Sequence, residues 1–324
     1  MVQIPLFTTG GHCNPEGDEN YVVSFPEIPN SPEFNWWELS LVSRNYKVGD
    51  PDYEAFRKGA LANMKSWGII YNTFQDLESV YIDYIKKQMG HDRVWAVGPL
   101  LPDENGPIDS TGRGGSSAVL HDNLLKWLDK KVVDSVVYIC FGSHFVLNEK
   151  QMGSLASALE LSKVDFILCV KESGSSFIPS GFEDRVAGRG FIVKGWAPQL
   201  VILRHRAVGT FVTHCGWNST LEGVTAGVMM LAWPMGADQF GNAKLLVDQL
   251  GVGKRVFGGP ENVPDSVELV RLLDESLNGD LPERVKVKEL SQAAKKAVKD
   301  GTSIQDLNIF VNLLSELKNH QTNA

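Results

Sequence analysis

Along most of the chain, short apolar runs alternate with longer stretches in which apolar residues recur every three or four positions. The first pattern suits strands buried on both faces, and the second suits helices with one buried stripe. Their alternation predicts βα units and a parallel sheet covered on both sides, an α/β fold. After a Pro-rich opening with Pro26, Pro29, Pro32 and the pair Trp36-Trp37, a helix is predicted from Asp52 to about Trp67, with Asp52 capping its first amides. A strand at Gly68 to Asn72, a helix at Asp76 to Met89 and a strand at Val94 to Val97 complete this first block.

From Leu101 to Val119 the residues are mostly Gly, Pro, Ser, Asp and Asn without apolar periodicity, so a linker and a domain boundary are expected there. The second block restarts with Leu124, Leu125, Trp127 and Leu128 on one helical face, followed by the buried strand Val136 to Cys140. Further strands are predicted at Phe166 to Val170, Phe191 to Val193, Gly209 to Thr213 and Met229 to Ala232. That set makes a complete doubly wound sheet, whereas the first block has too few strands to bury both faces by itself. Asp265 to Asn319 reads as helical, broken at Gly279 and Gly301, and no internal repeat is visible.

Composition narrows the function classes. A chain of 324 residues with 43% hydrophobic content can bury two medium cores. Its net charge of −8, with Lys and Arg spread along the chain, argues against nucleic acid and anionic membranes as partners. No apolar run approaches the roughly 20 residues a membrane span needs, and Met1 to Gly17 lacks a basic start and an apolar core. A cytoplasmic chain without membrane insertion is expected. Cys140, Cys169 and Cys215 lie in apolar or strand-like runs and Cys13 stands alone, so reduced thiols are the plain reading.

The chemistry concentrates between Trp196 and Phe240. It runs through Trp196-Ala197-Pro198-Gln199, then Thr213-His214-Cys215-Gly216-Trp217-Asn218-Ser219, Glu222, Gly227 and Trp233-Pro234, to Ala237-Asp238-Gln239. A strand ending at Thr213 and a helix opening around Ser219 are joined by small and polar residues. Ligands bind at such strand ends, and a helix N-terminus offers unpaired amides to a phosphate. His214, Asn218 and Ser219 add side-chain donors, and Gly216 lets the backbone approach an anion. Glu222, one turn beyond Ser219, can accept from both hydroxyls of a ribose. Trp196 at the end of a strand suits stacking on a planar base, and Asp238 with Gln239 offers acceptors and a donor to sugar hydroxyls. Each residue also has a blander reading. Trp196 and Trp217 are then core aromatics, His214 a hydrogen-bonded structural histidine, Asn218, Ser219 and Asp238 helix caps, and Glu222 a solvated helix residue.

The stretch Trp196 to Gln239 resembles the signature box of the plant family 1 UDP-glycosyltransferases, which glycosylate phenolics and similar aglycones. The likeness extends to Phe141-Gly142-Ser143, Gly98-Pro99-Leu100, Trp67-Gly68 and Val247 to Val252, covering roughly residues 21 to 317. It implies a GT-B-like fold of two doubly wound, Rossmann-like domains. Residues 1–100 are then the C-terminal part of an incomplete acceptor-binding domain, 101–119 a linker, 120–300 the UDP-sugar-binding domain and 301–324 a C-terminal helix packing back on the first domain. Trp196 would stack on uracil with the Ala197 backbone pairing to it, and Gln199 and Glu222 would hold the ribose. Ser143, His214, Asn218 and Ser219 would bind the diphosphate, and Trp217, Asp238 and Gln239 the sugar. Gln239 at the end of the box points to glucose. The resemblance thus implies UDP-glucose as donor substrate and inverting transfer to a hydroxyl of a small lipophilic acceptor such as a flavonoid. It implies no cofactor and no metal, because the helix dipole and donors stabilise the departing diphosphate. Met229, His144 and Gly241 depart from the family's usual residues.

Family members take the acceptor proton with a His that an Asp holds in place. Gly11-His12-Cys13-Asn14-Pro15 matches the family's Gly-His-x-x-Pro turn, but the acidic and polar Glu16 to Asn20 follows where an apolar helix belongs. His12 is therefore read as a chance match and the catalytic residues stay unassigned. Asp50-Pro51-Asp52 spells a metal-site Asp-x-Asp but reads as a turn and helix cap. An N-terminally truncated chain is expected, with a UDP-sugar-binding module without turnover as the alternative. A nicotinamide-dependent dehydrogenase is disfavoured by the lack of Gly-x-Gly-x-x-Gly after an early strand, and a sugar-nucleotide epimerase by the extent of the likeness.

Overall fold

The computed structural model describes residues 18, 21–45, 47, 49–102, 118–259 and 261–322. His12, Cys13 and most of the expected linker lie outside the described residues. The chain divides into two compact units, Met1–Leu101 with Gln292–Ala324, and Pro102–Ser291.

In the first unit, β1 (Val22–Ser24) and β2 (Glu33–Asn35) form an antiparallel pair. Phe25 N–H donates to Pro32 O at 3.0 Å, since a proline keeps its acceptor although it has no donor. Neither strand was expected from the sequence, since each buries a single residue, Val23 or Phe34, within the Pro-rich opening. The short helix α1 (Leu41–Arg44) precedes α2 (Pro51–Met64). Asp50, not Asp52, caps α2: its carboxylate accepts the Asp52 and Tyr53 N–H groups at 3.1 and 3.4 Å, and Pro51 fills the first helical position. β3 (Ile69–Tyr71) and β4 (Val94–Ala96) pair in parallel around α3 (Gln75–Met89), with Ile82, Ile85, Val94 and Ala96 in the core.

The second unit runs α4 (Ala118–Leu128), β5 (Val136–Cys140), α5 (Glu149–Leu161), β6 (Asp165–Val170), α6 (Phe182–Arg185), β7 (Gly190–Lys194) and α7 (Gln199–Arg204). It continues with β8 (Val208–Thr213), α8 (Trp217–Ala226), β9 (Met229–Ala232), α9 (Gln239–Lys244), β10 (Gly253–Arg255) and α10 (Ser266–Ser276). The six strands make one parallel sheet in the order β10-β9-β8-β5-β6-β7. Every residue of β5, β8 and β9 is buried, which is why β5 and β9 read as near-continuous apolar runs and β8 carries only the small Gly209 and the buried Thr210 and Thr213 among its apolar residues. β10 was not expected from the sequence: an edge strand carrying Lys254 and Arg255 has no apolar run to announce it.

α11 (Pro282–Lys299) and α12 (Thr302–Thr322) close the chain. The division between units falls at Ser291 inside α11, upstream of the expected boundary at residue 300, in a continuous helix where no glycine marks it. Within the first unit, Ser303 Oγ donates to Gly98 O at 2.6 Å, and Asp306 accepts the Ala96 N–H at 2.9 Å. Phe310 lies 5.1 Å from the Trp95 ring. No helix among the described residues is long and apolar enough to cross a membrane.

Candidate functional site

In an open parallel sheet, the ligand crevice lies beyond the C-terminal strand ends where the strand order reverses. Here that point is between β5 and β8. The loop after β5 carries Gly142, Ser143 and His144, and the turn after β8 carries His214, Cys215 and Gly216. The two meet at the His214 ring. A Cβ on Gly142, whose φ is 71°, would lie 2.6 Å from that ring, and one on Gly216 would lie 2.5 Å from its Nε2. Glycines let an imidazole sit between two backbones.

Burial lowers the His214 pKa to about 4, with Asp238 opposing the shift and His144 adding to it. His214 is therefore neutral at neutral pH, and its Nδ1 is buried without a hydrogen-bond partner. That is not a satisfied structural histidine. The folded pKa lies below the ordinary 6.5, so between these values the unfolded chain binds more protons. Stability from this group is full above about pH 6.5 and falls as pH drops towards 4. A His214→Asn variant should therefore lose less Tm than wild type on going from about pH 7 to about pH 5. Parallel losses in differential scanning calorimetry would contradict the assignment.

Helix α8 begins at Trp217, earlier than the expected Ser219. Its N-cap is Gly216, so neither Asn218 nor Ser219 caps it. The amides of Asn218 and Ser219 precede the first intrahelical bond, Thr220 N–H to Gly216 O at 2.9 Å, and face the end of the turn as donors. Cys215 is buried with φ 63°, its N–H held by Thr213 Oγ1 at 3.1 Å, and Ala237 in the turn after β9 has φ 55°. Left-handed non-glycine residues thus occur in both turns that follow β8 and β9, a strain typical of functional sites.

Glu222 is only 6% exposed, which rules out the solvated reading. Gln199 Nε2 donates to Glu222 Oε2 at 2.7 Å and to Ser219 Oγ at 3.0 Å, and Gln199 Oε1 accepts from Tyr138 Oη at 3.3 Å. Burial raises the Tyr138 pKa well above its ordinary value, so its hydroxyl stays a donor. Sequence reasoning missed Tyr138. Its signal was a lone hydroxyl in an otherwise apolar buried strand, which must find a partner.

Trp196 follows Gly195 and is 37% exposed, in contrast to a core aromatic. The Ala197 carbonyl accepts the Gln199 N–H at 2.8 Å. Trp217 is half-buried at the first position of α8, and Ser143 and Asn218 are exposed. Asp238 makes no capping bond; its Oδ2 accepts from Asn242 Nδ2 at 3.0 Å. Gln239 is buried, and its Oε1 accepts the Met235 and Gly236 N–H groups at 2.9 and 3.0 Å. With its carbonyl used to hold the turn, Gln239 has its amide NH2 left for a ligand. Ser143 after β5, and His214, Asn218 and Ser219 after β8, thus lie at the two strand ends that flank the switch point, Gln199 bonds Ser219 and Glu222, and Asp238 lies within electrostatic reach of His214.

Known proteins resemble this chain along most of its length. Residues 119–259 match the family model of UDP-glucoronosyl and UDP-glucosyl transferases. The chain is 48% identical over 302 residues to the flavonol 3-O-glucosyltransferase UGT89B1 of Arabidopsis thaliana, covering 91% of this chain and 63% of that relative. The crystal structure of Glycyrrhiza uralensis UGT73P12 with glycyrrhetinic acid 3-O-monoglucuronide superposes with a TM-score of 0.81 at 31% identity, over 99% of this chain and 68% of that one. The chain belongs to the plant family 1 UDP-glycosyltransferases. A further member of the family, Arabidopsis thaliana UGT89C1 complexed with UDP-L-rhamnose, matches at 43% identity and a TM-score of 0.71, over 82% of this chain and 62% of that one. The GT-B fold class is shared with these relatives, and this UDP-glycosyltransferase chain spans about 63% of the length of UGT89B1.

Proposed function

We propose that the chain binds UDP-glucose at the β5–β8 switch point and that, as part of an active enzyme, it moves glucose with inversion onto a hydroxyl of a small lipophilic acceptor such as a flavonoid. The observation that carries the reading is the turn after β8, where a neutral His214 packs against Gly216, the glycine N-cap whose helix α8 opens with unpaired amides. Donors of this kind suit a diphosphate, and they gain strength as charge develops on the leaving group. Glu222, held by Gln199, takes the ribose hydroxyls, and Trp196 covers the uracil with the Ala197 backbone at its edge. Trp217, Asp238 and the Gln239 amide contact the sugar. Flavonol activity in the name of UGT89B1 supports a phenolic acceptor, while the UDP-L-rhamnose complex of UGT89C1 makes the sugar the point to test. No step in this scheme uses a metal or cofactor, and a cytoplasmic setting fits the reduced, buried Cys140, Cys169 and Cys215.

The second reading is a donor-binding module without turnover. It uses the same donor-site residues, and the candidate base His12 lies outside the described residues. Calorimetry with UDP, UDP-glucose and UDP-rhamnose, together with a transfer assay on a flavonol, separates the two. Binding of UDP-glucose with transfer supports the enzyme and binding without transfer the module. Absence of heat with every nucleotide overturns both.

A further inference from the structure

Asp238 does not behave as an acidic residue at a helix start usually does. It sits at the N-cap of α9 with helical φ/ψ of −80° and −6°, yet its carboxylate caps nothing. One oxygen is instead held by Asn242 Nδ2 at 3.0 Å. The same nitrogen donates to Cys215 O at 2.9 Å, the carbonyl of the buried left-handed residue in the turn after β8. The Asn242 main-chain N–H also reaches Asp238 O at 3.0 Å. A primary amide carries two hydrogens, and here each serves a different turn. Asn242 therefore ties the turn beside the helix amides to the turn that presents Asp238.

We infer that Asn242 is a positioning residue for the donor sugar: it holds one Asp238 carboxylate oxygen so that the other is oriented to accept from sugar hydroxyls. The inference rests on the UDP-sugar reading above. Without Asn242, a carboxylate on an exposed turn is free to rotate or to swing onto the α9 amides as an ordinary cap. Each alternative must be given up when sugar binds, whereas a carboxylate already held loses little freedom. The diphosphate is served by groups that Asn242 does not touch, the His214 ring and the first amides of α8. The effect should therefore fall on the sugar and spare the nucleotide.

The test is calorimetric titration of the full chain with UDP and with UDP-glucose, for wild type, Asn242→Ala and Asn242→Asp. The alanine variant removes both donors. The near-isosteric aspartate also sets a second carboxylate against Asp238. UDP-glucose affinity should fall about ten-fold or more in both, with UDP affinity changing less than about three-fold, and the aspartate should be at least as weak as the alanine. Equal losses for both ligands overturn the inference by showing that Asn242 only maintains the turn. An unchanged ratio of the two affinities overturns it as well, while leaving the donor-site reading intact. A wild-type chain that binds neither nucleotide overturns that reading, and this inference with it. Should the aspartate variant not fold, the alanine titration decides alone.

Discussion

Glu222→Ala is expected to weaken UDP binding by about ten- to one-hundred-fold, the scale for losing charge-assisted hydrogen bonds to ribose. The structure adds a second consequence. Gln199 Nε2 loses its 2.7 Å acceptor and keeps only Ser219 Oγ, and the net loss of one part-buried hydrogen bond costs about 0.5–1.5 kcal/mol of stability. Thermal denaturation should therefore register the variant as destabilised even without ligand. Glu222→Gln keeps the shape and one acceptor, so it should fall between alanine and wild type on both measures. Unchanged UDP affinity in the alanine variant would remove Glu222 from the site, and with it the ribose part of the proposal.

The second large effect is expected at Gly142. Its φ of 71° costs a non-glycine residue about 1–2 kcal/mol. An alanine Cβ would in addition stand 2.6 Å from the His214 ring, too close for any real contact, so the imidazole must move. Gly142→Ala should lower Tm by about 5 °C or more and weaken UDP binding together with it. A double variant with His214→Ala separates the two causes. Removing the ring relieves the clash, so part of the Tm should return while UDP binding stays weak. Tm values that simply add would mean that the ring and the glycine are not coupled, contrary to the packing described.

The likeness to the family was legible because ligand contacts of this kind are clustered in sequence. Trp196 to Gln239 spans consecutive βα units, and their strand ends share one edge of the sheet by topology alone. Reading residue types at their spacing was thus enough to nominate Trp196, His214, Asn218, Ser219, Glu222, Asp238 and Gln239, whereas Ser143, Ala197, Gln199 and Trp217 came only from the resemblance to the family. The blander readings were decided by burial and bonding, which spacing does not carry. Glu222 is buried, Trp196 is half-exposed, and Asp238 caps nothing.

Asn242 and Tyr138 escaped notice for a related reason. Their partners, Cys215 and Gln199, are distant in sequence and become neighbours only when βα turns from different strands converge. The cap at Asp50 was misplaced because two acidic residues flank Pro51, and proline at the first helical position selects the earlier one. β1, β2 and β10 were missed because each buries a single residue, the last at a charged edge, so no buried apolar run announces them.

By itself, the sequence determined the α/β class, the buried central strands and the identity of the residues at their ends, since fully buried parallel strands need unbroken apolar runs and ligand turns need small and polar residues. Only the tertiary structure decided that β5 and β8 adjoin at the reversal of strand order, that His214 is neutral between two glycine backbones, and that Gln239 with its side-chain oxygen and Asn242 with its amide nitrogen hold turns. Those outcomes depend on contacts between segments far apart along the chain, where burial and partner geometry, not residue type, set protonation and orientation.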